Sequence, residues 1–448
     1  MKKYFIYTCM LLCLMGTTAC NDFLNLEPET SLSGALAFDN LEGIEAGING
    51  AYNHLHSDWV ERQWIFAECF TNSVYEINPV DNTNYQDVLR HERFTDMQEV
   101  GNFLWELSFK AINLSNQIIL AIPDVEVRDQ VAEASRNRLW GESLFLRGMS
   151  YFVLNRFYAQ PQNGLSVPLL TEPAFPGDQP ARASIEAVES QVIADLEQAA
   201  ERMKDVANNQ GRATIYAVYG MLARASFEYG DDAAAENWAS RVIDGPFSLN
   251  DGNVSAAYGL TQTSENVFSF LASTQDRAAT RLFTRFSGIR SVVMFGIEDD
   301  LWDIIQTDTS DLRTKELYNL SPYGEVTTKY DDRNMLIPYL RLPEMYLIRA
   351  EARANQNRLD EALADLNRLR QRAGLIATTY SSQQDLLDQI LRDRTIEMGL
   401  EGDRFHNLKR LQRSIGGLPW SEASYKLVFY LPEKEVRLNP NMIQNEPW

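Results

Sequence analysis

Along most of this chain apolar residues recur at three- and four-residue steps, the spacing of helices that bury one face. The first such run follows Phe38, with Leu41, Ile44, Ile48, Ala51, Tyr52 and Leu55 on one stripe. Gly43, Gly47 and Gly50 lie inside it. No strand precedes them and the G-x-G-x-x-G spacing is absent, so they read as close helix packing rather than a phosphate cradle. A second helix is predicted over about 101–122, stopped by Pro123, and a third over about 128–157, with Leu139, Leu146, Met149, Phe152 and Val153 on its stripe. Two more are predicted at about 384–400 and 403–413, before an extended tail.

Three helix-turn-helix units share one signature: small residues on the first helix, a polar turn, and alanines on the second. The clearest, at about 338–373, runs from Met345 through Ala350, Ala352 and Ala354, turns at Asn355–Arg358, and continues with Leu359, Ala362, Leu363, Leu366 and Leu369. Another, at about 212–245, turns at Tyr229-Gly230-Asp231-Asp232. The remaining one, at about 135–204, pairs the third helix with Ile185, Val188, Val192, Leu196, Ala199 and Met203 across a Pro-rich loop. Alanines let two helices approach while leucines fill the groove, which is the physics of tetratricopeptide units. The predicted fold class is mainly α, with tetratricopeptide-like helical repeats and irregular, loop-rich inserts.

Two stretches lose the period. Residues 57–100 read as irregular and surface-like, and 247–337 as a long insert with a strand at Val267–Phe270 and a helix at Asp299–Ile305. Long irregular loops on a regular body are where binding groups concentrate. Trp59, Trp64, Tyr75 and Tyr85 offer flat rings in the first stretch, Asp81 and Asn82 offer partners for hydroxyls, and Trp302 stands in the second. Rings flanked by amide and carboxylate groups suit the C–H faces and hydroxyls of sugars, so these residues are the candidate ligand site. The alternative for each ring is that it pins its loop to the body.

The start of the chain differs in kind. Met1-Lys2-Lys3, an apolar run from Tyr4 to Met15, and Gly16-Thr17-Thr18-Ala19 before Cys20 predict a secretory signal over residues 1–19. The apolar run is too short to span a bilayer. A cysteine directly after the small residues predicts lipidation of Cys20, as residue one of a mature body of 20–448, although Thr17 stands where such signals usually carry Leu. The chain holds 41 Lys and Arg against 62 Asp and Glu, a net charge of −21, which argues against nucleic acid as a partner and leaves neutral or cationic ligands. Beyond Cys20 only Cys69 remains, so no internal disulfide and no Cys-rich metal site is expected. No H-E-x-x-H, G-x-S-x-G or phosphate loop occurs, and no catalytic residue, metal or cofactor is predicted. Two rival classes stay open: a secreted glycan hydrolase, marked by a carboxyl pair in a cleft, and an assembly scaffold, marked by an unpocketed surface.

Together these features resemble the SusD/RagB family of outer-membrane nutrient-binding lipoproteins. Cys20-Asn21-Asp22-Phe23-Leu24 is similar to that family's mature start. Gly141 to Gly148 with Tyr151-Phe152, Gly211 to Thr214 with Leu222 to Ala225, and Leu340 to Ala352 with Asn367 to Arg370 are similar to its helical repeats. Arg394, Glu397, Glu401-Gly402-Asp403-Arg404-Phe405 and the Leu431-Pro432, Asn439-Pro440 and Gln444-Asn445 pairs continue the likeness. Asp393, Asn407 and Trp448 depart from the usual Glu, Asp and Tyr. The resemblance implies a cell-surface protein anchored in the outer membrane by lipid, which binds oligosaccharide, or peptide in some members. It further implies delivery to a TonB-dependent, SusC-like outer-membrane transporter over which the protein acts as a lid.

Overall fold

The computed structural model describes residues 37–77, 85–91, 96–175, 177–209, 211–271, 279–287, 289 and 293–445. Helix α1 (Leu41–His54) begins at Asn40, whose side-chain oxygen accepts from the Gly43 N–H at 2.9 Å. A Cβ on Gly47 would stand 2.6 Å from the Phe38 ring and 3.0 Å from Ile118, so this glycine does serve close packing. Helix α2 (Ser57–Phe70) follows at once, where the pattern predicts irregular chain. Val60, Ile65, Phe66, Ala67 and Phe70 are buried, and so are Glu61, Gln63 and Glu68 between them. Among the described side chains of this helix only Asp58 and Arg62 stay partly exposed, so its wet face is too narrow to print an amphipathic period.

Strand β1 (Val74–Glu76) and the short helix α3 (Tyr85–Leu89) lead to two long helices, α4 (Asp96–Ala121) and α5 (Gln130–Tyr158). These pack together, and α4 also covers α1. Asp129 caps α5, Ser184 caps α6 (Ile185–Arg202), Thr214 caps α7 (Ile215–Glu228) and Asp231 caps α8 (Asp232–Ile243). Each cap satisfies an N–H that its helix leaves open.

Short pieces follow: β2 (Asn266–Phe270), α9 (Thr280–Phe286), β3 (Phe295–Ile297), α10 (Asp299–Ile305) and α11 (Leu312–Leu317). The hairpin of β4 (Tyr318–Ser321) and β5 (Gly324–Thr327) comes next, then β6 (Ile337–Arg341). β6 pairs antiparallel with β2, Phe270 opposite Ile337, and runs straight into α12 (Leu342–Asn355), which turns into α13 (Leu359–Arg372). The chain closes with α14 (Gln383–Met398), α15 (Asp403–Arg410), α16 (Trp420–Lys426) and α17 (Glu433–Leu438). The last two are helices where an extended tail is predicted. Amides fasten this tail: Asn445 donates to the carbonyls of Tyr158 at 3.1 Å and Phe429 at 2.7 Å.

α5 packs on α6, α7 on α8 and α12 on α13, while α6 meets α7 and α8 meets α12. The three hairpins thus form one stack. Arg147 of α5 forks onto Asp195 of α6 at 2.8 and 2.6 Å, and Arg349 of α12 repeats the device on Asp365 of α13 at 2.9 and 2.7 Å. In the middle hairpin Arg224 of α7 reaches Glu344 of α12 instead, through two 2.7 Å bonds, and ties hairpin to hairpin. Two-pronged geometry offsets much of the cost of burying such charges. A second buried set joins the insert to the stack. Arg341 donates to Glu397 and Glu401, both at 2.8 Å, Arg372 to Glu397 at 3.0 Å and Glu265 at 2.6 Å, and Lys329 to Glu401 at 2.6 Å.

Candidate functional site

The two aperiodic stretches meet in a small seam of strands. β1 pairs antiparallel with β3, Tyr75 opposite Gly296, and β3 also touches β5. The Tyr75 ring lies against Gly296, where any Cβ would collide with it, and its hydroxyl end lies against Gly324, which sits at φ +127°. Two glycines therefore make the bed for one ring. The Tyr75 hydroxyl points to Glu325 at 3.4 Å, and the residue keeps part of its surface open to solvent.

Acid surrounds that ring. Burial, then the carboxylates of Glu325, Glu298 and Asp299, push the Tyr75 hydroxyl up from its ordinary pKa. Glu298 ends the segment after β3 and is pushed up by burial and by its neighbours Asp299 and Asp300, which open α10. Tyr323, 40% exposed, precedes Gly324 in the β4–β5 turn. The arrangement offers one half-open ring, a second exposed ring nearby in the chain, and carboxylates able to accept from sugar hydroxyls.

Only part of the candidate set assembles here. Trp59 is fully buried, with its indole N–H donating to Ser108 Oγ at 2.8 Å and its ring tilted against Tyr339. Trp64 is buried against Tyr330, with Gly402 packed on its backbone. Tyr85 is buried between Phe66 and Phe295. These three are core residues of α2 and α3 and present no free face to a ligand, which corrects the sequence expectation. Trp302 is half-buried on α10, one turn beyond Asp299, and packs against the core. Asp81, Asn82 and Cys20 lie outside the described residues. The sequence pattern does not single out Tyr323, Glu325 or Glu298, the last two of which the fold brings to the Tyr75 ring. The Ser321-Pro322-Tyr323-Gly324 turn between two short runs was the available hairpin signal for the first two.

Among the described residues no group of three or more His, Cys, Asp or Glu is placed to hold a metal ion, and no helix is long and apolar enough to cross a membrane. A family model described as "SusD family" matches residues 313–422, and one described as "Starch-binding associating with outer membrane" matches 22–227. A SusD-like protein of Formosa agariphila is 22% identical over an alignment of 528 positions, gaps included, that covers the whole of both chains. Starch-binding protein SusD of Bacteroides thetaiotaomicron is 34% identical over 122 residues, 25% of this chain and 21% of that one. The crystal structure of a SusD superfamily protein from Bacteroides thetaiotaomicron matches with a TM-score of 0.78 at 21% identity, covering 91% of this chain and 100% of the other. At that identity the likeness concerns the fold, mainly α with tetratricopeptide-like hairpins. With one model on its first half and another on the third hairpin and α14–α15, the chain belongs to the SusD/RagB family.

Proposed function

We propose that this chain is a glycan-binding protein of the outer-membrane surface, held there by lipid on Cys20. In this reading it captures oligosaccharide and delivers it to a TonB-dependent, SusC-type transporter, with no catalytic step of its own. The observation that carries the reading is the seam, where the Tyr75 ring rests on Gly296 beside Glu325. A flat ring accepts the C–H face of a sugar, and carboxylates accept from its hydroxyls. A neutral sugar is not repelled by a chain of net charge −21. The starch-binding description of the matching model supports a neutral glucan as the first ligand to try. The helical stack supplies an extended rigid face, and docking on a transporter calls for at least about 1,000 Å² of it.

Calorimetric titration of the mature chain with maltoheptaose tests the reading. Binding without release of reducing sugar is the expected result. Release would put the seam carboxylates to work in a hydrolase, and binding of no glycan at all would leave an assembly scaffold. A tagged chain extracted in mild detergent should bring a large β-barrel with it. Recovery of the chain alone counts against the transporter.

A further inference from the structure

Helix α10 borders a cavity. It measures about 370 Å³, lies between α10, α14 and α15, and has Ile304 on its wall. Ligand sites run from about 300 to 1,000 Å³, so this one suits a single sugar unit or a small charged group. Its distinguishing property is charge: Arg392, Arg394, Arg404 and Arg413 line it against two carboxylates, Asp388 and Asp403. Both carboxylates are already engaged. Asp403 accepts from Arg394 at 2.9 and 2.6 Å, and Asp388 meets Arg413 at 3.3 Å.

Arg404 and Arg392 are left over, and among the described residues neither makes an ion pair. Arg404 is half-buried, and its hydrogen bond goes to the Ser73 hydroxyl at 3.2 Å, a neutral acceptor. Burial pushes the Arg404 guanidinium down from its ordinary pKa, while Glu68 and Asp300 act on it without a hydrogen bond. A guanidinium taken out of water is held well only when an oxyanion meets its fork of donors. In a chain of net charge −21, two unpaired arginines on one cavity form an exception to the surrounding field.

We propose that this cavity binds an oxyanion, the sulfate ester or carboxylate of an acidic sugar, while a neutral part of the same glycan lies on the seam. Two links join cavity and seam. Ser73, which holds Arg404, stands two residues before Tyr75, and α10 opens with the acids beside Tyr75 and carries Ile304 to the cavity wall. The overall charge narrows the class further. A uniform polyanion is repelled on approach, whereas a glycan with isolated acid groups meets less repulsion and still reaches both guanidiniums. This inference rests on the glycan reading above, and its test separates the two.

The mature chain is titrated at low ionic strength with inorganic sulfate and, separately, with galacturonate. At least one should bind, with an affinity that falls as sodium chloride is raised. Binding of sulfate alone assigns the sulfate ester, and binding of galacturonate alone the carboxylate. Arg392→Gln and Arg404→Gln should each weaken that binding about tenfold, the scale of one hydrogen bond to a charged group. Arg392 is solvent-exposed, so its variant keeps the test valid if Arg404→Gln fails to fold. A wild type that binds neither anion, or folded variants that bind as wild type, overturns the site. Maltoheptaose binding without anion binding sinks the cavity and spares the glycan reading. Anion binding without affinity for any oligosaccharide keeps the cavity and sinks that reading.

Discussion

Replacing Tyr75 by alanine separates a ligand platform from a packing residue. The ring rests on Gly296 and touches Gly324, yet the residue is only partly buried, so its loss removes a fraction of the 150–250 Å² that a full aromatic buries. At ~25 cal/mol per Å² that fraction is worth about 1–2 kcal/mol of stability, a small shift in melting for a chain this long. A stacked aromatic platform, on the scale known for bases, contributes about 1–3 kcal/mol to binding, so affinity for maltoheptaose should fall roughly 5- to 150-fold. Gly296→Val supplies an independent arm, because its side chain must displace the ring without removing any group from it. Both variants should bind weakly by calorimetry while melting near the wild type. Trp64→Ala is the contrast: its indole is core, and truncation should cost about 3–5 kcal/mol and lower the melting temperature first. Unchanged affinity in Tyr75→Ala and Gly296→Val would refute the seam as the ligand site.

Three further outcomes follow from the same structure. Burial alone would raise Glu397, but Arg372, Arg341 and Arg313 hold it well below the usual carboxylate range; its stabilisation is therefore present above about pH 4.5 and lost as pH falls. Glu397→Gln should cost about 3–5 kcal/mol at pH 7 in denaturant titrations and flatten the acid limb, and an unaltered midpoint would contradict this. Glu61 behaves oppositely: buried, accepting from the N–H groups of Arg281 and Leu282 at 2.6 and 3.0 Å, it is pushed up to about 8. The folded state keeps that proton while the unfolded chain releases it from about pH 4.5, so stability falls as pH rises between those values, and Glu61→Gln should gain on the wild type from pH 5 to pH 8. Cys20→Ala should move the protein from the membrane to the soluble fraction, and persistence in the membrane would defeat the lipid anchor.

Legibility in the sequence followed burial. Helices with one wet face, such as α6 and α13, print their period, and their caps at Ser184 and the turn at Asn355–Arg358 mark the ends. α2 prints nothing, because Trp59, Glu61, Gln63 and Glu68 are all enclosed and polar residues stand where a core helix would be expected to be greasy. Each finds a partner: Gln63 donates to the Trp59 carbonyl, the Arg281 and Leu282 N–H groups meet Glu61, and the Gly402 N–H reaches Glu68 at 2.8 Å, over three hundred residues away in the chain. The same error carried into the site. Aromatics in an aperiodic stretch suggest loop rings, yet of Trp59, Trp64, Tyr75 and Tyr85 only Tyr75, on a three-residue strand too short to show alternation, has an open face. The acids that complete its surroundings lie about 220 to 250 positions further on, and their placement depends on the pairing of β1 with β3.

The residues that carry the family resemblance explain why recognition reached the fold and stopped short of the ligand. Arg341, Glu344, Arg394, Glu397, Glu401 and Asp403 are buried or nearly so, and they satisfy one another or their structural neighbours. Removing one partner strands a buried charge at a cost of about 3–5 kcal/mol, so packing alone constrains these positions whatever the protein binds. The departures obey the same rule. Asp393 still accepts from Arg313 at 2.5 Å and Arg370 at 3.2 Å, and the amide oxygen of Asn407 accepts from Arg410 at 2.9 Å, so each shorter or neutral side chain leaves its contacts closed. The seam answers to a weaker constraint: two glycines to admit one ring, and freedom in the exposed Tyr323 and in the acids around it. On the glycan reading proposed above, ligand identity is then read from residues outside the family motif, such as Tyr75, Tyr323 and Glu325, rather than from the buried ion pairs that carry the resemblance.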